Sequence, residues 1–386
     1  MNGFSKLREK TYSLSPRRGA GEGRVRGIIS AMKNSGNADK IRAGSPSPSS
    51  PPVKGGENPS LHSRRPARVL RISVTDRCNL RCIYCMPESG VKLAGHDELL
   101  SYEEITLAAH AAVLTGFARL RITGGEPLVR KGLVSLIENL DRLNPEDLAL
   151  TTNGVLLSDF ARALKAAGLC RVTVSLDTLQ KDRFEKIARR PGLQKVLDGI
   201  DAARKSGLEP LKINTVIVRG INDDEIPDFV RFSQKENIEV RFIELMPTSG
   251  LMPECKEIGE WKPKLVVSGA EIKKRLEENF GRLEPVKDDS GVAKIFELEG
   301  RARIGLITPI SEPFCDDCQR LRLSPEGVLR LCLFDKAGVN LKKELRENNA
   351  DIKALISLFK EMLERKKSWD RGEIVQVNHD MFRIGG

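Results

Sequence analysis

Short β-branched runs alternate with amphipathic stretches along the chain from Val69 onward. The runs have the length of strands, and the segments between them repeat apolar residues at helical spacing. Strands are predicted at Val69–Val74, Arg119–Thr123, Leu148–Thr152, Arg171–Ser175, Lys212–Val218 and Glu239–Glu244. Helices are predicted between them at Tyr102–Thr115, Val129–Leu143, Ser158–Ala167, Gln194–Ser206 and Asp224–Glu236. Six strands that alternate with helices indicate an α/β fold with a parallel sheet and right-handed crossovers.

A partial (βα)₆ barrel of the TIM type fits this order better than an open doubly wound sheet. Neither a Gly-rich dinucleotide fingerprint nor a P-loop follows the first strand. The alternation stops after Met246, where an α+β extension begins. Its predicted elements are a helix at Ser268–Asn279, strands at Val292–Leu298 and Arg301–Leu306, and a charged helix near Ile352–Lys367. We therefore expect a barrel core over residues 66–250 and a C-terminal region over residues 251–386.

Residues 1–65 form a basic tail that is predicted to be disordered, since it is rich in Ser, Pro, Gly, Lys and Arg. Thirteen Lys and Arg against four Asp and Glu give this tail +9 of the formal net charge of +11. The rest of the chain is nearly neutral, so the charge is weak evidence for nucleic-acid binding. A transit peptide is one interpretation of the tail, although its acidic residues argue against it. A solvated extension and an internal start at Met32 are the others.

Composition excludes a membrane-spanning or fibrous protein. Hydrophobic residues make up 40% of the 386 residues and charged residues 30%, and no run approaches the roughly 18 apolar residues that a membrane span needs. No apolar signal-peptide segment is present, which argues against secretion. We expect a cytoplasmic protein, with the mitochondrial matrix as the alternative if the tail is a transit peptide. The sequence does not distinguish a monomer from a homodimer.

Six of the eight cysteines form two tight triplets. They are Cys78-x₃-Cys82-x₂-Cys85 and Cys315-x₂-Cys318-x₁₃-Cys332. This spacing suits ligands of an inorganic centre better than disulfides. A structural zinc takes four ligands, and none of the four histidines stands at a usual zinc spacing from either triplet. Three thiolates instead suit a [4Fe–4S] cluster that keeps one iron open to another molecule. A zinc ribbon is the alternative for the second triplet. Cys170, which opens a strand run, is predicted to be a buried core thiol, and Cys255 has no predicted role.

Two motifs in register on successive strands resemble the radical S-adenosylmethionine superfamily. The first is the triplet at Cys78 with Tyr84 before its last cysteine, and the second is Gly124-Gly125-Glu126-Pro127, which is similar to the turn that binds the methionine amino group in that superfamily. Over about residues 66–386 the chain resembles more closely the family of GTP 3′,8-cyclases of molybdenum cofactor biosynthesis. The phrases that carry this resemblance are Leu70–Cys78, Arg121–Pro127, Leu150–Gly154, Val174–Asp177, Phe242–Met246, the second triplet and Gly385-Gly386.

The resemblance implies a radical enzyme with two [4Fe–4S] clusters and S-adenosyl-L-methionine as cofactors. Reductive cleavage of S-adenosylmethionine at the first cluster would give a 5′-deoxyadenosyl radical, which would remove hydrogen from C3′ of GTP. Attack on guanine C8 would then give 3′,8-cyclo-7,8-dihydro-GTP, while the second cluster binds the guanine edge. The implied partners are GTP, a reductant of unknown identity and the downstream cyclic pyranopterin monophosphate synthase.

The triphosphate of such a substrate requires several cations. One exposed ion pair gives about 0–1 kcal/mol, whereas micromolar binding needs roughly −8.2 kcal/mol. The candidates are Arg71, Arg121, Lys212, Arg320 and Arg322. Arg71 alternates with Ser73 and Lys212 with Asn214, so one polar face of the strands is predicted to point into the barrel.

The remaining site residues follow from family positions. By resemblance Thr152 contacts GTP, and Tyr84, Gly125, Glu126, Ser175 and Met246 hold S-adenosylmethionine. Gly125 has an independent rationale, because backbone without a side chain can approach a ligand closely. For Glu126 the alternative is a cap on the next helix. Gly385 and Gly386 are ordinarily a frayed terminus, but in the family this end is thought to reach into the active site.

Two other functions are compatible with the same residues. One is a radical enzyme that acts on a peptide or RNA and uses the second triplet for an auxiliary cluster. The other is a nonenzymatic zinc or iron–sulfur scaffold whose basic tail binds nucleic acid. Binding of GTP but of no peptide would separate the cyclase from the first of these. Anaerobic reconstitution would separate it from the second, since a scaffold does not cleave S-adenosylmethionine.

Overall fold

The computed structural model describes residues 67–247, 261–286, 292–298, 302–347, 351–369 and 381–385. The predicted tail, Cys255 and Gly386 lie outside these ranges. Within them every helix is too short or too polar to cross a bilayer.

The described residues form twelve strands. They are β1 Val69–Ser73, β2 Arg119–Thr123, β3 Asp147–Thr152, β4 Arg171–Ser175, β5 Lys212–Ile217, β6 Glu239–Glu244, β7 Leu283–Val286, β8 Lys294–Leu298, β9 Ala302–Ile307, β10 Arg320–Leu323, β11 Val328–Arg330 and β12 Val339–Asn340. The helices are α1 Tyr102–Leu114, α2 Leu133–Asp141, α3 Leu157–Ala166, α4 Lys181–Ala188, α5 Leu193–Lys205, α6 Ile226–Glu236, α7 Gly269–Phe280, α8 Leu341–Arg346, α9 Ile352–Lys367 and α10 Met381–Ile384.

All twelve strands belong to one sheet in the order β12-β11-β10-β1-β2-β3-β4-β5-β6-β9-β8-β7. Strands β1 to β6 pair in parallel in sequence order, and helices connect them. This confirms the predicted partial (βα)₆ barrel. The C-terminal strands extend the same sheet at both edges, since β10 pairs in parallel with β1 and β9 pairs in parallel with β6.

Alternation along the strands separates the core from the barrel interior. On β1, Leu70 and Ile72 are fully buried apolar side chains, whereas Arg71 lines the cavity inside the barrel. Because successive side chains of a strand point to opposite faces, the apolar set packs under the helices and the polar set faces inward. The predicted polar inner face is therefore present on β1.

The helix predicted at Val129–Leu143 is interrupted in the structure. A short 3₁₀ turn covers Pro127–Val129, and α2 starts only at Leu133. Gly132 precedes it with a φ of +81°, a left-handed conformation that a continuous helix cannot include. Helix α4 was not predicted, because only three of its eight residues are buried and its apolar periodicity is weak.

Candidate active site

The first cysteine triplet lies on a loop that leaves the C-terminal end of β1. Backbone hydrogen bonds fix this loop against the end of α4, from Arg81 N to Ala188 O at 2.9 Å and from Ile83 N to Ile187 O at 2.9 Å. The Cys78 sulfur accepts from Leu80 N at 3.4 Å. A parallel barrel places its site at this end of the strands, so the loop occupies the position expected for the chemistry.

Burial raises the pKa of the Cys78 thiol to about 11. Burial also raises the pKa of Cys82, and the nearby charges of Asp177, Cys85 and Cys78 raise it further. Thiols in such surroundings keep their protons near neutral pH unless a cation offsets the negative charge, as metal ligation does. Cys82 is influenced by the charges of both other cysteines of the triplet, and three cysteines are the ligand set expected for an iron–sulfur cluster with one open iron.

The Gly-Gly-Glu-Pro turn after β2 lies directly against the chain that leads into this loop. Gly125 N donates to Thr75 O at 2.8 Å, and Glu126 N donates to Arg77 O at 2.8 Å. A Cβ at Gly125 would lie 2.4 Å from the Arg77 carbonyl oxygen. Glycine is therefore required here for contact between two backbone segments, which differs from the ligand approach that the sequence suggested. Its contact with S-adenosylmethionine stays a prediction.

Glu126 is fully buried and its carboxylate has three donors. Leu128 N donates at 3.0 Å, Thr152 Oγ1 at 2.8 Å and Asn153 N at 2.7 Å. Burial raises the pKa of Glu126 to about 7. The capping alternative is present, since Leu128 N belongs to the 3₁₀ turn that follows. Thr152, assigned to GTP by resemblance, here orients Glu126.

Asn153 was not predicted, and it connects this turn to the cysteine loop. Its side-chain nitrogen lies 2.7 Å from Asn79 Oδ1 and 3.8 Å from the Cys78 sulfur. Amide donors to a ligand sulfur stabilise the thiolate form. No spacing rule in the sequence predicts this contact, because it joins positions 75 residues apart.

Tyr84 is held by a buried carboxylate at the end of β4. The Tyr84 hydroxyl donates to Asp177 Oδ2 at 2.5 Å, and Val216 N donates to Asp177 Oδ1 at 2.8 Å. Burial raises the pKa of Asp177 to about 6 and that of Tyr84 well above its usual range. Ser175 is the last residue of β4 and precedes Asp177 by two residues. It therefore lies at the same end of the strand as Asp177.

A cavity of about 1430 Å³, including its open mouth, lies inside the barrel. The second cysteine triplet lines it together with six arginines and Met246. The arginines are Arg71, Arg119, Arg121, Arg241, Arg320 and Arg322. The structure thus brings together the second triplet and four of the five cations predicted for GTP.

Three of these arginines stand side by side across neighbouring strands, with Arg71 in register with Arg322 on one side and Arg121 on the other. Burial, and then the neighbouring arginines, hold the pKa of Arg71 well below its usual range. Burial lowers the pKa of Arg121 to about 9 and that of Arg322 to about 10. Cations forced this close repel one another, and a bound polyanion would relieve the repulsion.

Three buried polar atoms inside the barrel could form hydrogen bonds with a ligand. Within the described ranges, Ser73 Oγ, Arg121 Nε and Asn214 Oδ1 are buried and have no hydrogen-bond partner. Such atoms are costly in a folded protein. A nucleotide with phosphate oxygens, hydroxyls and ring nitrogens fits this set of donors and acceptors.

Lys212, the fifth predicted cation, pairs with a residue that the sequence analysis missed. Its Nζ lies 3.0 Å from Glu239 Oε1, inside the barrel. Arg241 Nε donates to the same oxygen at 2.6 Å. Arg241 and Arg119 were also missed, although both sit on predicted strands at inward-facing positions, which is the signal that could have identified them.

The second triplet lies next to cations on β10 and α9. Arg320 Nε approaches the Cys318 sulfur at 3.4 Å and Lys366 Nζ approaches it at 3.8 Å. Burial alone would raise the pKa of Cys318, but Arg320 and Lys366 outweigh it and bring the pKa to about 7. A thiolate is therefore accessible near neutral pH, as a cluster ligand requires. Among the described residues, no three His, Cys, Asp or Glu side chains are placed to hold a single metal ion, which does not distinguish the iron–sulfur cluster from the zinc alternative.

The segment at Gly385 is held inside the barrel. An Arg322 guanidinium nitrogen donates to the Gly385 carbonyl and lies 3.4 Å from the Ile384 carbonyl oxygen. Gly385 has a φ of +71°, and a Cβ there would lie 2.1 Å from the Thr123 methyl carbon. Gly385 is therefore held in place and not frayed. The arginine that binds its carbonyl oxygen, Arg322, also lines the cavity.

Comparison with known proteins agrees with this site. Residues 72–233 match the Radical SAM superfamily and residues 238–370 match the family described as Molybdenum Cofactor Synthesis C. The GTP 3′,8-cyclase of Peptoclostridium acidaminophilum is 44% identical over 323 residues, which cover 82% of this chain and 95% of that protein. The GTP 3′,8-cyclase of Thermodesulfovibrio yellowstonii is 48% identical over 281 residues, which cover 72% and 85%.

Solved structures share the fold. SuiB of Streptococcus suis superposes with a TM-score of 0.55 at 14% identity, covering 79% of this chain and 68% of that one. The structure of SuiB bound to S-adenosylmethionine gives a TM-score of 0.52 at 14% identity over 72% of this chain and 62% of that one.

A partial barrel with a three-cysteine loop after its first strand defines a radical S-adenosylmethionine protein. Sequence identity of 44% and 48% over 95% and 85% of the length of the two cyclases defines its family. The chain belongs to the GTP 3′,8-cyclase family.

Proposed function

We propose that this chain converts GTP to 3′,8-cyclo-7,8-dihydro-GTP, the first step of molybdenum cofactor biosynthesis. The observation that carries the proposal is the cavity in which the second cysteine triplet and six arginines meet. Arginines match phosphate oxygens with planar, bidentate donors. A ligand with a polyanionic end and a metal-binding end therefore fits this cavity, and a guanosine triphosphate has both.

Two cysteine triplets hold two [4Fe–4S] clusters in this family. Cys78, Cys82 and Cys85 would hold the first, and Cys315, Cys318 and Cys332 the second. When bound, the first cluster and S-adenosylmethionine supply the radical that removes hydrogen from C3′ of GTP. The protein contributes binding, orientation and the exclusion of competing reactions.

The turn and strand ends near the first triplet are assigned to S-adenosylmethionine. Gly125 would offer backbone groups, while Tyr84 and Met246 would offer an aromatic face and an apolar contact. Asp177 fixes the Tyr84 ring, since it accepts the hydroxyl hydrogen bond at 2.5 Å. Glu126 already accepts three hydrogen bonds, so we assign it to ordering the turn as well as to the methionine ammonium. Ser175 is assigned by family position.

The inward cations are assigned to the triphosphate. A single exposed ion pair contributes about 0–1 kcal/mol, but Arg71, Arg121 and Arg322 converge in a buried cavity where screening is weak. Arg320 stands nearer the second triplet, because its Nε lies 3.4 Å from the Cys318 sulfur. We place the phosphates on the first three arginines and the guanine near Arg320. Thr152 is assigned to GTP by family position.

Two partners belong to the same proposal. An external reductant must deliver the electron that starts each turnover, and the cyclic product is consumed by cyclic pyranopterin monophosphate synthase. Gly385 contacts Arg322 through its carbonyl oxygen, so we assign the segment that ends at Gly386 to the nucleotide end of the site.

Anaerobic incubation with GTP, S-adenosylmethionine and dithionite tests the function. Reconstituted protein should carry about eight irons per chain, and mass spectrometry should detect the cyclised nucleotide together with 5′-deoxyadenosine. Cys170→Ser is the matched control for cysteine loss, since Cys170 lies outside both triplets. A protein that cleaves S-adenosylmethionine, ignores GTP and modifies a peptide or RNA would contradict the assignment.

A further inference from the structure

A single carboxylate joins two cations inside the barrel. Glu239 Oε1 lies 3.0 Å from Lys212 Nζ and accepts from Arg241 Nε at 2.6 Å. Its other oxygen lies 3.6 Å from Arg303 Nε. Lys212 and Glu239 are directly opposite each other on neighbouring strands, so their side chains leave the same face of the sheet.

Both partners of this ion pair are buried. Lys212 is 5% exposed and Glu239 is 8% exposed. A buried ion pair is costly to desolvate, and hydrophobic residues often replace one without loss of stability. Stability is therefore a weak explanation for this pair. The location of the pair beside the cavity gives a better explanation. Arg241 lines the cavity, and Lys212 lies two residues before Asn214, which also lines the cavity and is on the same face of β5.

Another carboxylate on a barrel strand, Asp147, pairs with a different cation. Asp147 receives two hydrogen bonds from Arg171, at 2.7 Å and 2.5 Å. Both oxygens of Asp147 are thus occupied by one guanidinium in a bidentate ion pair. Glu239 differs from Asp147, since it supports two cations at once and one of them borders the cavity.

We propose that Glu239 is a positioning residue for nucleotide binding, which holds Lys212 and Arg241 in place for the phosphates of GTP. The assignment rests on the proposed function. Without Glu239, Lys212 would lose its hydrogen-bond acceptor, and the mutual repulsion of the barrel cations would turn both side chains away from one another.

Glu239 also keeps Lys212 charged. Burial and the charges of Arg241 on the neighbouring strand and Arg171 on β4 lower the pKa of Lys212 from 10.5 to about 8, against the opposing effect of Glu239. Lys212 binds phosphate only as an ammonium. Affinity for GTP is therefore expected to fall as the pH rises through about 8, and it should fall at a lower pH once Glu239 is neutral.

Glu239→Gln keeps the size and one acceptor oxygen of the side chain and removes its charge. We would measure GTP dissociation constants by anaerobic equilibrium dialysis with reconstituted protein between about pH 6.5 and about pH 9. A decrease of one unit in the pKa of Lys212 would lower its charged fraction at pH 8 from about one half to about one tenth, so E239Q should bind GTP roughly fivefold more weakly there than the unmodified protein. Glu104→Gln is the matched control, since Glu104 is also 8% exposed and pairs with a cation, Arg346 Nε at 2.6 Å, but lies on α1 away from the cavity. It should leave the pH midpoint close to its original value.

A second variant tests the idea in case E239Q folds poorly. Lys212→Arg carries a guanidinium, whose ordinary pKa lies well above that of an ammonium. K212R should therefore bind GTP with little change between about pH 7 and about pH 8, below the range in which Arg121, with a pKa of about 9, loses its charge. A K212R protein that retains the pH-dependent loss, or an E104Q protein that shifts as much as E239Q, would overturn the role of Glu239. Unmodified protein that binds no GTP at any pH would instead overturn the proposed function.

Discussion

Substitution of Gly125 tests whether backbone contact at the cysteine loop sets the geometry of the first site. An alanine Cβ would lie 2.4 Å from the Arg77 carbonyl oxygen and 2.8 Å from its carbonyl carbon. Ordinary contact begins at 3.4 Å, so the two backbone segments must separate by about 1 Å. The separation strains the hydrogen bonds from Gly125 N to Thr75 O and from Glu126 N to Arg77 O. Neither segment can yield easily, because both are backbone.

The size of the effect follows from these contacts. Overpacking costs typically about 1–3 kcal/mol, and each weakened hydrogen bond adds about 1 kcal/mol. With two weakened hydrogen bonds, Gly125→Ala should therefore destabilise the protein by about 3–5 kcal/mol. With about 2–4 °C of melting temperature per kcal/mol for a protein of this size, the expected decrease is roughly 6–20 °C.

The assay is thermal unfolding of the metal-free protein followed by iron analysis after anaerobic reconstitution. Iron binding should decrease as well, because Arg77 immediately precedes Cys78. Gly95→Ala is the matched control, since Gly95 has a φ of −63° and an added Cβ would meet only Glu98, at 3.4 Å. A G125A protein that melts with the unmodified protein and takes up full iron would refute the reasoning.

Three further substitutions separate the parts of the site. Cys78→Ala should abolish 5′-deoxyadenosine formation, measured by chromatography, because the first triplet loses a ligand. Cys315→Ala should retain some S-adenosylmethionine cleavage while the cyclised nucleotide disappears from the mass spectrum. Gly385→Ala should also reduce product formation, since its Cβ would collide with the Thr123 methyl at 2.1 Å. Adding Thr123→Ser removes that methyl and should restore part of the product.

Each of these expectations has a result that contradicts it. Deoxyadenosine formation by C78A would remove the first triplet from radical generation, and full turnover by C315A would remove the second triplet from substrate binding. A G385A protein that is equally active with Thr123 and with serine at that position would separate the segment at Gly385 from turnover.

The barrel strands could be predicted closely from local pattern. The bounds predicted for β2, β4 and β6 agree with the structure, because each strand is a β-branched run between turn residues. Arg320 and Arg322, which the sequence analysis names among the cations for GTP, both line the cavity. Local sequence carries this information, since alternation needs only neighbouring residues.

The long-range pairings could not be predicted in the same way. Strand β10 has four residues, which is too short for a periodic signal, and its partner β1 is distant in sequence. The contact of Lys212 with Glu239 depends on the register between β5 and β6, which a single sequence does not specify. The proposed boundary near residue 250 likewise stays a prediction.

The parallel pairing of β1 with β10 has a consequence for biosynthesis. Val69 pairs with Arg320, so roughly 250 residues must leave the ribosome before this edge of β1 finds its neighbour. At about 5–20 residues per second, the nascent barrel exposes a bare strand edge for on the order of ten seconds to a minute. Exposed edges recruit foreign strands. Fragments that stop before Arg320 should therefore aggregate as they are made, and chaperone demand should fall once β10 has been synthesised.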